Sequence, residues 1–382
     1  MSKIYLSLIR SDLAHPVYRE LINNPPVKYI NIDNKSKTKN EITVKSSLTW
    51  FYTLGKLITH SVQMPYFWYV NQDCDLIHAS QHIILNKKPW VVDCEHVSGF
   101  LSSVHHPKKR SFIYKYLLKK GLESKNCKKI MPWTNAAKKS IENLLRSDKI
   151  NEKIEVVYPA LSIPNFKKKK TEKTTLLFVG KIFYKKGGEE TLKSFEILNR
   201  RYDNIELLMI CDVPEQFKRK YSSFENIKIY EPKFSREVLY EKFYSKADIF
   251  VLPTRSDTFG MVFLEAMAFE LPIVTVDGFA RDEIIEDGKN GFIVEGYPYK
   301  IFDENYQHST KYGHFSLIEK HLTEKDKNKV ASNLVEKLSI LIEDENLMKR
   351  MGKNGKKILK EKFSIENRNK KLRRIYEEAL KR

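Results

Sequence analysis

From Leu176 onward, apolar runs of strand length alternate with segments of helical spacing, and this alternation limits the fold more than any other feature of the chain. The strand-length runs are Leu176–Val179, Leu207–Ile210, Ile227–Tyr230, Ile249–Leu252, Ile273–Val276 and Phe292–Val294. Helical patterns occupy Glu189–Asn199, Ser235–Tyr244 and Met261–Phe269, and Leu271–Pro272 marks a turn. Strands separated by helices in this order form the βαβ units of a parallel, doubly wound α/β sheet. Right-handed crossovers place the loops that follow the strands at the carboxyl edge of that sheet.

The first 160 residues carry the same rhythm less clearly, with strands expected at Ile4–Ile9, Leu76–Ala79, Trp90–Val92, Lys129–Pro132 and Ile154–Tyr158. At 382 residues the chain exceeds the size at which one core keeps growing, so two domains are expected. The lysine-rich stretch Pro164–Thr175 has the composition of an exposed linker. The expected division is therefore residues 1–163, residues 164–362, and a charged C-terminal helix over 363–382 that packs back on the first domain.

Composition narrows the class further. The four cysteines, Cys74, Cys94, Cys127 and Cys211, show no paired-ligand spacing, which suggests neither a zinc site nor a disulfide framework. No run approaches the ~18 apolar residues of a spanning helix, so the chain reads as cytoplasmic rather than secreted or transmembrane. The net charge of +20 favours an anionic partner: nucleic acid, a lipid headgroup surface or a phosphorylated substrate.

The chemistry concentrates in Ala247–Phe269, a buried strand, a polar turn and a helix whose apolar interior is interrupted by one carboxylate, Glu265. A charge buried there needs a polar partner, and ligand hydroxyls or a neighbouring lysine would serve. The turn Ser256–Gly260 lies where the helix begins, so free N–H groups and the helix dipole make an anion site that suits a diphosphate. Simple capping of the helix by Ser256, Asp257 or Thr258 is the plainer alternative. A second loop, after strand Leu176–Val179, contains Gly180, Lys181, Lys186 and Gly187, whose lysines can approach the same anion.

These residues resemble the C-terminal domain of glycosyltransferase family 4, retaining enzymes with the GT-B fold of two facing Rossmann-like domains and a cleft between them. Gly180–Lys181, Lys186–Gly187, Leu252–Pro253–Thr254, the pair Asp257 and Glu265, Phe259–Gly260 and Glu265–Ala266–Met267–Ala268 follow the family's order. Gly278, Glu283, Asp287–Gly288, Asn290–Gly291 and Phe292 continue it.

The resemblance implies transfer of a sugar from a nucleotide-diphosphate sugar to a hydroxyl of a glycan, lipid or other acceptor, with no metal and no further cofactor. Lys181 and Lys186 would hold the diphosphate, together with Thr258 and the amides of Phe259, Gly260 and Met261. Glu265 would bind the ribose. Asp257, at the sugar, Lys186, at the leaving group, and His96, in the N-terminal domain, are the catalytic candidates; His78 and His82 are weaker rivals to His96.

Some features depart from the family. Asp257 replaces the usual glutamate and reaches about 1.5 Å less far. Arg10–Ser11–Asp12–Leu13 lacks paired glycines, Ile77–Trp90 is short for an intervening helix, and Tyr297–His321 reads as an insertion without a derivable role. Two amphipathic stretches, around Trp50–Ile58 and over Lys108–Lys120, suit either an anionic membrane or packing on the N-domain sheet. A basic nucleic-acid-binding protein without catalysis is the competing class, although no nucleic-acid motif supports it. A GT-B sugar-nucleotide epimerase is the third.

Overall fold

A computed structural model describes residues 2–9, 15–32, 64–101, 112–169, 171–309 and 311–381. Arg10–Leu13, Trp50–Ile58 and the start of Lys108–Lys120 lie outside the described residues. By packing, the chain forms two units: Met1–Ser162 with Glu304–Thr310 and Phe363–Arg382, and Ile163–Asp303 with Lys311–Lys362.

The first unit holds a parallel sheet of strands β1 (Ile4–Ser7), β3 (Leu76–Ser80), β5 (Trp90–Cys94) and β6 (Cys127–Pro132), in that order. The short stretch between β3 and β5, where a helix had no room, holds the strand β4 (Ile83–Ile84), which forms a separate parallel pair with β2 (Phe67–Trp68). Strands β1, β3 and β5 are buried along their whole length, as a parallel sheet covered on both faces requires. The expected strand Ile154–Tyr158 is mostly irregular. It runs along β6 through Glu155 N–H to Ile130 O and Val157 N–H to Pro132 O, both 2.9 Å, but only Ile154 forms a β-bridge.

The C-terminal helix Ile365–Lys381 is fastened to this unit by polar groups as well as by Leu372 and Ile375. The Tyr376 hydroxyl lies 2.7 Å from His78 Nδ1 and 2.8 Å from the Tyr29 hydroxyl, and Arg368 donates to Asn24 O at 2.6 Å. His78 Nε2 meets Asp93 Oδ2 at 3.1 Å, while Tyr18 donates to the other carboxylate oxygen. Buried polar groups joined in this way fix one docking of the helix, because any other would strand them without partners.

The second unit holds six parallel strands: β7 (Thr174–Ile182), β8 (Ile205–Asp212), β9 (Ile227–Tyr230), β10 (Ile249–Leu252), β11 (Ile273–Val276) and β12 (Gly291–Val294). Their spatial order is β12-β11-β10-β7-β8-β9. From β7 the chain proceeds outward to β8 and β9, then returns to β7's other side and proceeds outward again. The order therefore turns around between β7 and β10. In open parallel sheets a turn-around leaves a crevice beyond the carboxyl ends of the two strands, since their crossovers depart to opposite faces. Helices Gly188–Asn199, Met261–Ala268, Glu324–Glu343 and Glu345–Lys362 belong to this unit.

One helix differs from the sequence reading. The single helix expected at Ser235–Tyr244 is an α-helical turn, Arg236–Leu239, followed by a π-helical turn, Tyr240–Tyr244. All four cysteines are buried and unpaired, and burial pushes the Cys127 and Cys211 thiols up to about 12.

Candidate active site at the strand turn-around

The segments that follow β7 and β10 flank the turn-around and hold most of the second unit's sequence candidates, but the first is not the single loop expected: β7 runs on through Gly180 and Lys181 to Ile182, and Lys186 closes a helical turn, Phe183–Lys186. Backbone contact clasps them together: Lys185 O accepts the Arg255 N–H at 3.0 Å and the Thr254 hydroxyl at 3.4 Å. Gly187 makes the approach possible. Its φ is 75°, and a Cβ there would lie 2.3 Å from Pro253 O, so no other residue fits. Arg281, 3% exposed, donates to Thr254 O at 2.7 Å, and Tyr297 donates to Pro253 O at 2.9 Å.

The clasp brings Lys186 Nζ to 2.6 Å from Asp257 Oδ2. Burial pushes the Asp257 carboxyl up, but the charges of Lys186 and Arg281 outweigh it and hold the group below its ordinary value. Asp257 is therefore an anion at neutral pH, beside a cation that a more strongly charged ligand can share.

Lys181 and Lys186 line one cavity of about 240 Å³ with Gly180, Pro232, Phe234 and Val262. Val262 is the second residue of the Met261–Ala268 helix, so the helix starts at the cavity. Its N-cap is Gly260, at φ 88°, which has no side chain to cap with. The start of the helix presents the positive end of its dipole to the cavity. A larger recess of about 470 Å³, lined in part by Asp212, Lys218 and Glu231, lies at the ends of β8 and β9 and holds none of the candidate residues.

Glu265 lies one turn into the helix and is 4% exposed. Its partners include an arginine and two tyrosines: Arg236 Nε reaches Oε1 at 3.0 Å, and the Tyr240 and Tyr244 hydroxyls donate at 3.4 and 3.0 Å. Burial and the Glu265 charge push the Tyr244 hydroxyl well above its ordinary value, so it remains a donor. The π-helical turn presents both tyrosines to one carboxylate. Sequence reasoning missed all three partners, although two tyrosines four apart beside an arginine were a visible signal.

His96 belongs to the first unit. It is 1% exposed, its Nδ1 accepts the Ser98 N–H at 3.0 Å, and its Nε2 lies 2.7 Å from Tyr306 O. A nitrogen that accepts from an amide carries the lone pair, so the proton is on Nε2 and points to that carbonyl. The His308 ring stands 5.0 Å away, edge on. Of the rivals, His78 serves the C-terminal helix, and burial lowers His82 to about 4 while Ser7 Oγ lies 2.8 Å from its Nε2. Among the described residues no three His, Cys, Asp or Glu side chains cluster as a metal site would.

Comparison with known proteins bears on the fold and on the second unit's sequence. Folds like that of the whole chain occur in sucrose-phosphate synthase from Thermosynechococcus elongatus, with a TM-score of 0.63, 14% identity and coverage of 99% of this chain and 98% of that one. Anabaena HepE, solved in complex with UDP and glucose, gives a TM-score of 0.61 at 13% identity, covering 99% and 100%. The fold is GT-B, built from two Rossmann-like units. Residues 162–304, which contain every candidate in the second unit, match the family model described as Glycosyl transferases group 1. The capsular polysaccharide biosynthesis glycosyltransferase CapM of Staphylococcus aureus is 27% identical over 235 residues, 60% of this chain and 51% of the relative. The O-antigen chain mannosyltransferase RfbU of Salmonella typhimurium is 25% identical over 179 residues, 46% of this chain and 49% of the relative. The chain thus spans about half the length of these curated relatives.

Proposed function

We propose that the chain is a retaining glycosyltransferase that moves a sugar from a nucleotide-diphosphate donor to a hydroxyl acceptor. One observation carries the reading: Lys181, Lys186 and the first turn of the helix Met261–Ala268 line a single cavity at the strand turn-around, with Asp257 tied to Lys186. In this assignment the lysines and the amides of Phe259, Gly260 and Met261, with Thr258, hold the diphosphate. Glu265 takes the ribose hydroxyls, and Asp257 takes a hydroxyl of the sugar. As the glycosidic bond breaks, negative charge collects on the departing diphosphate, and fixed cations and amide dipoles there lower the barrier. With that charge offset by protein groups, we assign no metal to the reaction. His96 is kept as the first unit's contribution; in the arrangement described, its Nε2 proton is held by Tyr306 O.

The direct test is a melting screen of UDP-, GDP- and ADP-sugars, run with EDTA present. A donor at 100 times its Kd should stabilise by about 2.7 kcal/mol, which is about 5–11 °C for a unit of this size. No shift with any donor would count against a donor site.

The exposed face of the helix Phe112–Glu123 favours a lipid acceptor at an anionic surface. Tyr114, Leu118 and Leu122 are fully buried, while Phe112, Ile113 and Tyr116 are 81%, 50% and 50% exposed beside Lys115, Lys119 and Lys120. Large apolar side chains bordered by lysines match an interfacial helix on an anionic leaflet, and among the described residues no helix is long and apolar enough to cross a membrane. We therefore place the enzyme on the inner face of a membrane. Vesicles containing anionic lipid should bind at least about tenfold more protein than neutral ones, given ~1 kcal/mol for each lysine near the surface. Equal binding, or no loss on Phe112→Ser with Ile113→Ser, would remove the lipid surface from the proposal.

A further inference from the structure

The segment Tyr297–His321, to which the sequence assigns no role, ends in a helix, Phe315–His321, that belongs to the second unit. That helix sends Glu319 to Arg255, two residues before Asp257. The Arg255 guanidinium is fully buried and lies between two carboxylates, Glu190 from the Gly188–Asn199 helix and Glu319. Its Cζ sits 4.8 Å from the centre of the Tyr297 ring, from the start of the same segment. Glu319 is in turn 3.4 Å from Lys327 Nζ, which pairs with Glu189 at 2.9 Å. Charges alternate through this cluster, so each carboxylate is offset by a cation, as burial demands.

The backbone of the same arginine joins the two donor loops, because the Arg255 N–H donates to Lys185 O at 3.0 Å. Holding its side chain therefore fixes the peptide that sets Lys186 and Asp257 side by side. We propose that Arg255 and Glu319 are positioning residues, and that the inserted segment acts as a brace for the Pro253–Gly260 loop. This rests on the donor-site reading for its effect on ligand binding, but not for its effect on the loop. Glu190 alone leaves the guanidinium held from one side. Glu319 closes the other side, from an element that nothing in the sheet requires.

The test compares wild type, Glu319→Gln and Glu319→Asp by amide hydrogen exchange, melting and UDP, GDP and ADP affinity. In Glu319→Gln the Arg255 amide should exchange about tenfold faster while Ile249–Leu252 stays protected. The Kd of the nucleotide that binds should rise about tenfold, the melting point should change little, and Glu319→Asp should recover most of both effects. Unchanged exchange at Arg255 overturns the brace whatever the ligand data show. Faster exchange spread through Ile249–Leu252, with a collapse in melting point, also overturns it, because the effect is then one of general packing. If loop exchange rises as expected but wild type binds no nucleotide, the brace stands and the donor-site reading fails.

Discussion

Replacing Lys186 by alanine should slow sugar transfer by about 10²–10³-fold, the usual cost of removing a fixed group that stabilises charge developing in a transition state. Lys186 is the sharper of the two lysines because the loop clasp fixes it: its ammonium is 2.6 Å from Asp257, whereas Lys181 is exposed at the rim of the same cavity. Lys181→Ala should therefore cost about tenfold, the scale of one charge-assisted contact. A loss below threefold in Lys186→Ala, measured as kcat/KM or as donor hydrolysis, would remove it from the reaction centre. The pair also has a pH signature. Asp257 in the folded chain lies below its unfolded value of about 3.9. The ion pair's contribution to stability is thus present above about pH 4 and is lost as pH falls through the lower folded value. The difference in melting point between wild type and Lys186→Ala should narrow at pH 3 compared with pH 7.

Glu265→Ala should abolish nucleotide binding and lower the melting point by about 6–12 °C, taking ~3 kcal/mol for a buried charge stripped of its partner and 2–4 °C per kcal/mol. The alanine leaves Arg236 and two buried tyrosine hydroxyls without their acceptor. Loss of binding in that variant alone would not separate a ribose contact from a damaged fold. Glu265→Gln does separate them, since the amide oxygen can still accept from a tyrosine and the volume is kept. It should melt within a few degrees of wild type yet bind nucleotide at least about tenfold more weakly, one hydrogen bond to a charged group being worth ~1.5–3 kcal/mol. Wild-type affinity in Glu265→Gln would place the ribose elsewhere.

The second unit was legible because its strands are apolar on both faces and its helices separate them, which leaves few arrangements. Each expected run from Leu176 to Val294 lies within an observed strand. The site was legible where chemistry is written into consecutive residues, as in Gly180–Gly187 and Asp257–Glu265. What could not be read were contacts between distant elements. Nothing near Glu265 in sequence announces Arg236 or Tyr244 as its partners, and the π-helical turn that carries Tyr240 and Tyr244 departs from the regular spacing that pattern reading assumes. Arg255 looked like an ordinary loop cation, because its burial depends on Glu190 and Glu319, 65 and 64 residues away. In the first unit, Ile154–Tyr158 had strand composition but takes its place along β6 with only one bridge.

Residues 162–304, the part that matches the family model, do not amount to a body that could stand alone. The helices Glu324–Glu343 and Glu345–Lys362 come after it, yet they bury Val330, Leu334, Leu338, Met351 and Leu359 within the same unit. A fragment trimmed to the recognisable stretch would present the apolar side chains that these helices cover to water and to its neighbours, and would precipitate rather than report on ligand binding. Dissection of the chain must therefore follow its packing, which draws each unit from more than one stretch of sequence.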